Sequence, residues 1–327
     1  MSTKVQYNLA SADGKTSLHC VMWKPDKEPV GVLQIVHGMV EYLERYAPFA
    51  EYLASRGFVV FGHDHIGHGR SVRTTADWGV MNCENPNDVM VEDIFLHFRI
   101  MNRRFAGKPF IILGHSMGSY MLRQMLSQKA GSLYGLDGAI IMGTGQESEK
   151  MIDFGLSVVY FLAAFRGWSY KSPLVPKMLF KKPYRQYPIG STYGKNSWLT
   201  RDQEIVHQYY CDPKCSFILS LGGFKGLFQA CRYATNPENV ERIPKHIPIL
   251  FVSGDQDPVG DMGEGVKRAY QQFVNAGIRD VKIKLFEGDR HEILNELDRQ
   301  DVYQYLFDWM MGIVRKKKSY RNYHRYR

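Results

Sequence analysis

The sequence predicts an α/β protein built on a mostly parallel central sheet of about eight strands flanked by helices. Short apolar runs such as Gly31–Val36 are almost unbroken, which is typical of strands buried on both faces. These runs alternate with segments whose apolar residues recur at helical spacing, and such alternation favours a parallel sheet covered by helices. The alternation stops between residues 146 and 233 and then returns. A helical insertion after the sixth strand accounts for this interruption.

The predicted elements run in order from a hairpin near the start of the sequence. Residues 5–10 and 17–23 are rich in strand-forming residues and flank an Asp-Gly pair, which is a strong hairpin pattern. Further strands are predicted at residues 31–36, 58–61, 110–113, 137–142, 249–252 and 281–286. Apolar residues at helical spacing predict helices at residues 43–53, 88–104, 117–129, 265–275 and 302–313.

Composition and charge exclude several classes of protein. The chain has 327 residues, of which 44% are hydrophobic and 23% charged, so neither a disordered chain nor a collagen-like fibre fits. Five scattered cysteines are too few for an extracellular fold stapled by disulfides. The net charge is +9, but residues 315–327 carry seven basic residues and no acid. The sequence therefore has a basic tail but not a basic domain.

The sequence also predicts a location for the protein. Its first residues lack the apolar segment of a signal peptide. The most apolar run, residues 155–165, is about half of the ~20 residues that a membrane-spanning helix needs. We therefore expect a soluble, cytoplasmic protein.

A nucleophile is predicted at Ser116, within Gly114-His-Ser-Met-Gly118. This G-x-S-x-G pentapeptide follows a buried strand and opens a helix, which is the context that a nucleophile elbow requires. The turn from strand to helix must be so sharp that small residues are needed two positions before and after the serine. Gly114 and Gly118 occupy those positions, so we expect the serine hydroxyl to be exposed.

A base and an acid are predicted in later loops, because a serine hydroxyl is a poor nucleophile until an oriented base takes its proton. In this kind of fold the order along the chain is serine, acid, histidine, each after a different strand. His291 follows the last predicted strand and is the predicted base. Asp257 is the predicted acid, because Pro258 stiffens the loop beside it. Asp255 and Asp261 in the same loop remain alternatives.

Two backbone N–H groups are predicted to bind the oxyanion of the reaction intermediate. One belongs to Met117, directly after the serine, and the other lies in the loop after the third strand. That loop has the sequence His37-Gly-Met-Val-Glu41. Because Gly38 lets the backbone turn, the N–H of Met39 is the predicted second donor.

Five motifs occur in a fixed order along the chain. They are His37-Gly-Met-Val-Glu41, Asp64-His-Ile-Gly-His-Gly-Arg-Ser71, Gly114-His-Ser-Met-Gly118, Gly254-Asp-Gln-Asp257 and the loop that carries His291. With these motifs the sequence resembles the α/β-hydrolase superfamily, and within it the monoacylglycerol lipase and lysophospholipase-like group of bacterial serine hydrolases of the serine aminopeptidase type. The resemblance spans nearly the whole predicted core.

The resemblance implies an α/β-hydrolase fold and an esterase that needs no cofactor. It implies Asp257 as the catalytic acid and Met39 and Met117 as the oxyanion donors. The implied domains are a hydrolase core at residues 1–145 and 234–314, a helical cap at residues 146–233 and a basic tail at residues 315–327.

We expect a carboxylic ester hydrolase that forms an acyl-enzyme on Ser116 and cleaves a monoacyl lipid, a monoacylglycerol or a lysophospholipid. A small-ester carboxylesterase and an amidase or iminopeptidase with the same triad are alternatives. A catalytically silent binding protein is the alternative from another class. His63, His65 and His68 could suggest a metal site, but no motif elsewhere completes one, so we expect no metal.

Two segments bear on the partners of the protein. Residues 154–165 are apolar almost all round, so this helix either buries both faces or shows one face to an acyl chain or a membrane. The basic run at residues 315–318 follows an amphipathic helix and could give weak peripheral contact with an anionic membrane. Solvated disorder is the alternative for the tail, and nucleic acid is not favoured. The oligomeric state is not predicted.

Overall fold

An eight-stranded sheet forms the centre of the protein. The computed structural model describes residues 3–179, 184, 187 and 198–325, with side chains of the last helix described as far as residue 319. Parts of the predicted cap and of the predicted tail therefore lie outside the described residues. The strands are β1 (Thr3–Ala10), β2 (Ser17–Lys24), β3 (Gly31–Val36), β4 (Phe58–His63), β5 (Phe110–His115), β6 (Leu136–Met142), β7 (Ile249–Gly254) and β8 (Val281–Phe286).

Helices connect and cover these strands. They are α1 (Ala47–Ala54), α2 (Pro86–Arg104), α3 (Met117–Gln128), α4 (Glu149–Arg166), α5 (Leu174–Leu179), α6 (Gln203–Cys211), α7 (Leu221–Thr235), α8 (Pro237–Glu241), α9 (Glu264–Asn275) and α10 (Arg299–Arg325). Helices α4 to α8 lie between β6 and β7, so the predicted position of the helical insertion, after the sixth strand, is confirmed. The domain boundaries at residues 145 and 233 stay predictions.

The order and pairing of the strands confirm the predicted architecture. The sheet order is β1-β2-β4-β3-β5-β6-β7-β8. β1 and β2 form the predicted antiparallel hairpin, β2 pairs antiparallel with β4, and the other neighbouring pairs are parallel. Each predicted strand is present, with bounds that differ from the prediction by no more than two residues.

Two apolar clusters, one on each face of the sheet, hold the helices in place. Successive side chains of β3 point to opposite faces, so Val32 joins the cluster under α2 and α3, whereas Leu33 joins the cluster under α1 and α10. Both side chains are fully buried, and each such burial contributes on the order of 1.5–3 kcal/mol. Helix α7 of the insertion packs against α2 and α3 as well as α4, which ties the insertion to the core.

The six parallel strands bring the candidate loops together. Their carboxyl ends meet at one edge of the sheet, which we call the carboxyl edge, and their amino ends form the amino edge. The loops after β3, β5, β7 and β8, which carry the residues predicted for catalysis, all open at the carboxyl edge. This edge is where ligands bind in open α/β sheets.

The last helix runs from the carboxyl edge to the amino edge. Helix α10 extends to Arg325, well past the predicted end at residue 313, so the basic run at residues 315–318 is helical. Lys316 Nζ lies 3.1 Å from a carboxylate oxygen of Asp280, just before β8, and Lys317 Nζ lies 2.6 Å from one of Asp137, near the start of β6. The basic run therefore sits at the edge of the sheet opposite the candidate site.

Membrane-spanning helices were also sought along the described chain. Within residues 3–179 and 198–325, no helix combines the length and the apolar character that crossing a bilayer requires.

Candidate active site

Ser116 occupies a strained turn between β5 and α3. Its backbone has φ 52° and ψ −122°, a combination that residues with a side chain rarely adopt. The Ser116 N–H donates to the carbonyl of Met142 at 3.0 Å, and the Ser119 hydroxyl donates to the carbonyl of Ser116 at 2.6 Å. Ser116 is half-buried, whereas its neighbours His115 and Met117 are fully buried. The turn therefore leaves the serine more exposed than the residues on either side of it.

The two glycines of the pentapeptide make this turn sterically possible. A Cβ atom on Gly114 would lie 2.5 Å from the carbonyl oxygen of Gly118. A Cβ atom on Gly118 would overlap the carbonyl oxygen of Val36, at the end of β3, and lie 2.6 Å from that of His37. The sharp turn therefore depends on a close backbone approach between α3 and the loop after β3.

His291 and Asp257 meet as predicted at the carboxyl edge. His291 Nδ1 lies 2.9 Å from Asp257 Oδ2, and both side chains are almost fully buried. Because a carboxylate only accepts hydrogen bonds, Nδ1 carries a proton and Nε2 is left as the basic nitrogen. Asp257 Oδ2 also accepts a bond from the Ser253 hydroxyl at 3.1 Å, and Oδ1 accepts one from the Val259 N–H at 2.9 Å.

The two alternative carboxylates of the acid loop have other partners. Asp255 Oδ1 accepts a bond from the Gly288 N–H at 2.8 Å, which links the loops after β7 and β8. Asp261 is exposed and binds Arg268 at 2.9 Å. The geometry thus brings Asp257, rather than either alternative, to His291.

The loop after β3, residues 37–41, lies directly against Ser116, and we call it the oxyanion loop. A Cβ atom on Gly38 would lie 3.0 Å from Ser116 Cβ, so this backbone borders Ser116. The Gly38 N–H is already engaged, because it donates to Glu41 Oε1 at 2.5 Å. The next N–H along the loop belongs to Met39, the predicted donor. Met117 is the first residue of α3, where backbone N–H groups have no partner within the helix.

A buried polar network, which sequence reasoning did not find, lies beneath these groups. Glu41 Oε1 accepts bonds from Gly38 N–H and from the Tyr46 hydroxyl (2.8 Å), and lies 3.1 Å from His115 Nδ1. Glu41 Oε2 lies 3.0 Å from Arg45 Nη1, and Arg45 also binds both oxygens of Glu292 at 2.7 and 2.6 Å. We call Glu41, Arg45, Tyr46, His115 and Glu292 the buried network.

The charges of the buried network stabilise one another. Burial alone would raise the pKa of Glu41, but His115 and Arg45 hold this pKa well below its usual range. Burial favours the neutral form of His115, yet the hydrogen bond and charge of Glu41 outweigh it and raise the pKa of His115 above its ordinary value. Likewise, burial would raise the pKa of Glu292, but Arg45 lowers it.

Two features of the sequence could have pointed to the buried network. Glu41 and Arg45 carry opposite charges four residues apart, although Glu41 precedes the helical turn that begins at Leu43. His115 directly precedes Ser116, and Glu292 directly follows His291. Their mutual contacts, however, join residues more than 70 positions apart, and spacing alone does not predict them.

The helical insertion holds the other side of the base loop. The His291 N–H donates to the carbonyl of Trp198 at 3.4 Å, and the rings of these residues lie 5.1 Å apart. The Glu292 N–H donates to the carbonyl of Leu199 at 2.7 Å. Two residues further along the insertion, Arg201 binds three carboxylates, those of Asp289, Glu296 and Asp298.

The three histidines weighed as metal ligands are buried beneath the oxyanion loop. His65 Nε2 lies 3.2 Å from the carbonyl of His37, His68 Nδ1 lies 3.0 Å from that of Ile66, and His63 Nδ1 lies 3.1 Å from His97 Nδ1. Burial lowers the pKa of all three imidazoles, that of His68 to about 4. In the part of the chain that the structure describes, one ligand group is tight enough for an ion, Asp289 with Glu296 and Asp298, and Arg201 binds it.

Fold and site together define an α/β-hydrolase with a serine at the nucleophile turn. The family model described as "Serine aminopeptidase, S33" matches residues 27–298, and the chain belongs to this family. The resemblance stated from the sequence motifs is thereby confirmed.

Known relatives agree with this assignment. The human protein "Monoglyceride lipase" is 27% identical over 294 residues, which cover 89% of this chain and 84% of the human protein. "Monoacylglycerol lipase" of Mycolicibacterium smegmatis is 27% identical over 318 residues, which cover 95% and 98% of the two chains. A crystal structure of a thermostable carboxyl esterase from Bacillus coagulans superposes with a TM-score of 0.87 at 28% identity, covering 95% of this chain and 99% of that one. The protein is a carboxylic ester hydrolase, as predicted.

The close approach at the nucleophile turn is testable through Gly118→Ala. The added Cβ would press on the carbonyl oxygens of Val36 and His37, so we expect the free energy of unfolding to fall by about 1–3 kcal/mol. Gly131→Ala is the matched control, because its Cβ would meet nothing within 4 Å. Denaturant unfolding of both variants measures the difference. Equal stability of the two would contradict the tight packing described here.

The predicted role of Asp257 is testable through Asp257→Asn. The amide cannot hold His291 in the tautomer that leaves Nε2 basic, so we expect kcat for an ester substrate to drop by about 10⁴-fold. Asp261→Asn removes an exposed carboxylate of the same loop and should leave kcat within about twofold. Thermal unfolding shows whether both variants fold. A folded Asp257→Asn enzyme with near-normal kcat would move the acid elsewhere.

Proposed function

We propose that the protein hydrolyses monoacyl lipid esters, a monoacylglycerol or a lysophospholipid, through an acyl-enzyme on Ser116. The observation that carries this proposal is the Asp257–His291 pair beside a strained serine turn. The names of the human and mycobacterial relatives support the substrate class. A strained serine beside an imidazole that a buried carboxylate orients is the arrangement that acyl transfer uses.

In the first half of the reaction Ser116 becomes acylated. Its Oγ attacks the carbonyl carbon of the ester while its proton passes to His291 Nε2. Negative charge develops on the carbonyl oxygen, where the N–H groups of Met39 and Met117 stabilise it. As the intermediate collapses, the bond to the leaving alkoxy oxygen breaks and His291 returns the proton to that oxygen. Asp257 stabilises the charged imidazole throughout.

In the second half water releases the acyl group. His291 Nε2 takes a proton from water as the water oxygen attacks the acyl carbon, and the oxyanion again lies against Met39 and Met117. The bond to Ser116 Oγ breaks, the serine regains its proton from His291, and a fatty acid leaves. No cofactor enters either half of the reaction.

We propose that the insertion, residues 146–233, acts as a cap whose helix α4 meets lipid. One face of α4 is buried, at Ile152, Leu156, Val159 and Ala163. The opposite face exposes large apolar side chains at Met151, Phe154, Phe161 and Phe165. Contact with lipid would remove the apolar surface of these four side chains from water, which is favourable. A lipid aggregate therefore fits this face.

The proposed lipid face and the basic tail lie apart. Helix α4 follows β6 at the carboxyl edge, whereas Lys316 and Lys317 pair with acids at the amino edge. Weak contact between the tail and an anionic membrane therefore stays a separate proposal. Such contact would direct α4 away from the membrane.

The proposed activity is testable with a chain-length series of p-nitrophenyl esters beside 1-monoacylglycerol and lysophosphatidylcholine. We expect long-chain monoacyl lipids to be preferred and Ser116→Ala to abolish both turnover and labelling by a fluorophosphonate. Activity on acetate and butyrate alone would reduce the protein to a small-ester carboxylesterase. Full labelling of Ser116→Ala would remove Ser116 from its role, and an unlabelled, inactive wild type would favour a silent binding protein.

The lipid face of α4 is testable with a Phe161→Ser, Phe165→Ser double variant and zwitterionic vesicles. Losing two exposed aromatic rings should weaken sedimentation with phosphatidylcholine vesicles by about tenfold or more. Tyr134→Ser is the matched control, since this tyrosine is 83% exposed at the amino edge just before β6. Unchanged binding of the double variant would contradict the lipid face.

A variant with glutamine at all four positions of residues 315–318 separates the tail from α4. This variant should bind more weakly to vesicles that contain anionic lipid, and its binding to zwitterionic vesicles should equal that of the wild type. If the variant bound more weakly to both kinds of vesicle, the proposed separation between the basic tail and the lipid face of α4 would be contradicted.

A further inference from the structure

We infer that Glu41 is a positioning residue, whose carboxylate holds the oxyanion loop in its active shape and keeps a cationic His115 against the catalytic base. This inference rests on the function proposed above. It concerns residues that do not themselves touch the reacting atoms. It assigns the buried network a part in the rate and in the pH dependence of the reaction.

The first step of the argument is how many donors Glu41 serves. Its two oxygens face Gly38 N–H, the Tyr46 hydroxyl, His115 Nδ1 and Arg45 Nη1. An amide in the same place has one oxygen and one N–H₂ group. Glutamine therefore cannot satisfy all four donors, and one of them would face an amide hydrogen.

The second step concerns the shape of the oxyanion loop. The bond from Gly38 to Glu41 closes the loop across three residues, and between them Val40 has φ 56°. A β-branched residue is strained there, so the surrounding contacts must hold it. Tyr209, a residue of α6, donates its hydroxyl proton to the carbonyl of Val40 at 3.0 Å. Because the Gly38 N–H binds Glu41 and the Val40 carbonyl binds Tyr209, the backbone on both sides of Met39 is held and its N–H has a fixed direction.

The third step concerns the charge of His115. Its Nδ1 lies 2.8 Å from the Tyr46 hydroxyl and 3.1 Å from Glu41 Oε1, and its Nε2 lies 3.2 Å from the carbonyl oxygen of His291. Because the Tyr46 hydroxyl donates its proton to Glu41, all three partners accept from His115, so both ring nitrogens carry protons and the imidazole is a cation. The raised pKa of His115 agrees with this geometry, in which the bond and charge of Glu41 outweigh burial.

The fourth step connects this cation with catalysis. The rings of His115 and His291 lie 4.7 Å apart, so a charged His115 opposes protonation of the base. Asp257 faces His291 on its other side, while Glu41, Tyr46 and Glu292 face His115. Arg45 lies between the two glutamates and balances them. The positive charge of His115 therefore lies next to the imidazole that must be neutral to accept the proton of Ser116.

The inference predicts a specific change in Glu41→Gln. Without the carboxylate His115 loses its proton, so protonation of His291 becomes easier and the acidic limb of kcat/KM moves up by about one pH unit. The loosened oxyanion loop should also lower the plateau kcat by about 10–100-fold, with KM for p-nitrophenyl butyrate changed by less than about threefold. His115→Gln should move the acidic limb in the same direction.

Glu44→Gln is the matched control. Glu44 lies three residues further along and pairs with Lys4 and Arg70 at the surface, away from the site. We expect its pH profile and kcat to equal those of the wild type. Thermal unfolding and fluorophosphonate labelling are measured for every variant, because a purely structural role would change stability without moving the acidic limb.

The outcomes separate this inference from the proposed function. An unlabelled, inactive wild type would overturn both. An active wild type beside a folded Glu41→Gln enzyme with an unchanged acidic limb would overturn the inference alone. If Glu41→Gln does not fold, Tyr46→Phe removes one donor to Glu41 with its ring intact. It should give a smaller shift in the same direction, and a folded Tyr46→Phe enzyme with no shift would overturn the inference.

Discussion

The close approach of three backbone segments around Ser116 is the constraint on which the rest of the site depends. The end of β3, the turn after β5 and the start of α3 meet so tightly that no side-chain atom fits at Gly118. That contact forces the strained conformation of Ser116 and brings the oxyanion loop beside it. The strain is maintained by the sheet, because both β3 and β5 are fully buried and paired.

The base loop is held by charge rather than by apolar packing alone. On the core side, Arg45 links Glu292 to Glu41 under the oxyanion loop. On the insertion side, Arg201 binds acids that lie on either side of His291 in the sequence. Two guanidinium groups thus bind four carboxylates of this loop, and each arginine can bind more than one oxygen because it offers several donors in a fixed plane. His291 lies in the sequence between the carboxylates that Arg45 and Arg201 bind, so both arginines help to fix its position.

Much of the fold could be predicted, because its central strands are buried on both faces and appear as unbroken apolar runs. The meeting of Asp257 and His291 could also be predicted, since both residues follow strands whose carboxyl ends must meet. Apart from the apolar helix at residues 154–165, the separate helices of the insertion could not, because short helices such as α5 carry too few turns to show a period. The buried network could not either, since Glu41 and His115 become neighbours only once the sheet has formed. The extension of α10 was missed because its last turns are polar.

Helix α10 fixes the direction in which the molecule can be held. Its charged end emerges at the amino edge, and each further residue of helix carries the chain about 1.5 Å away from the sheet. A negatively charged support that captured the enzyme by this end would leave the carboxyl edge pointing into solution. The basic end of α10 would thus allow oriented immobilisation of the protein, with the candidate active site accessible from solution.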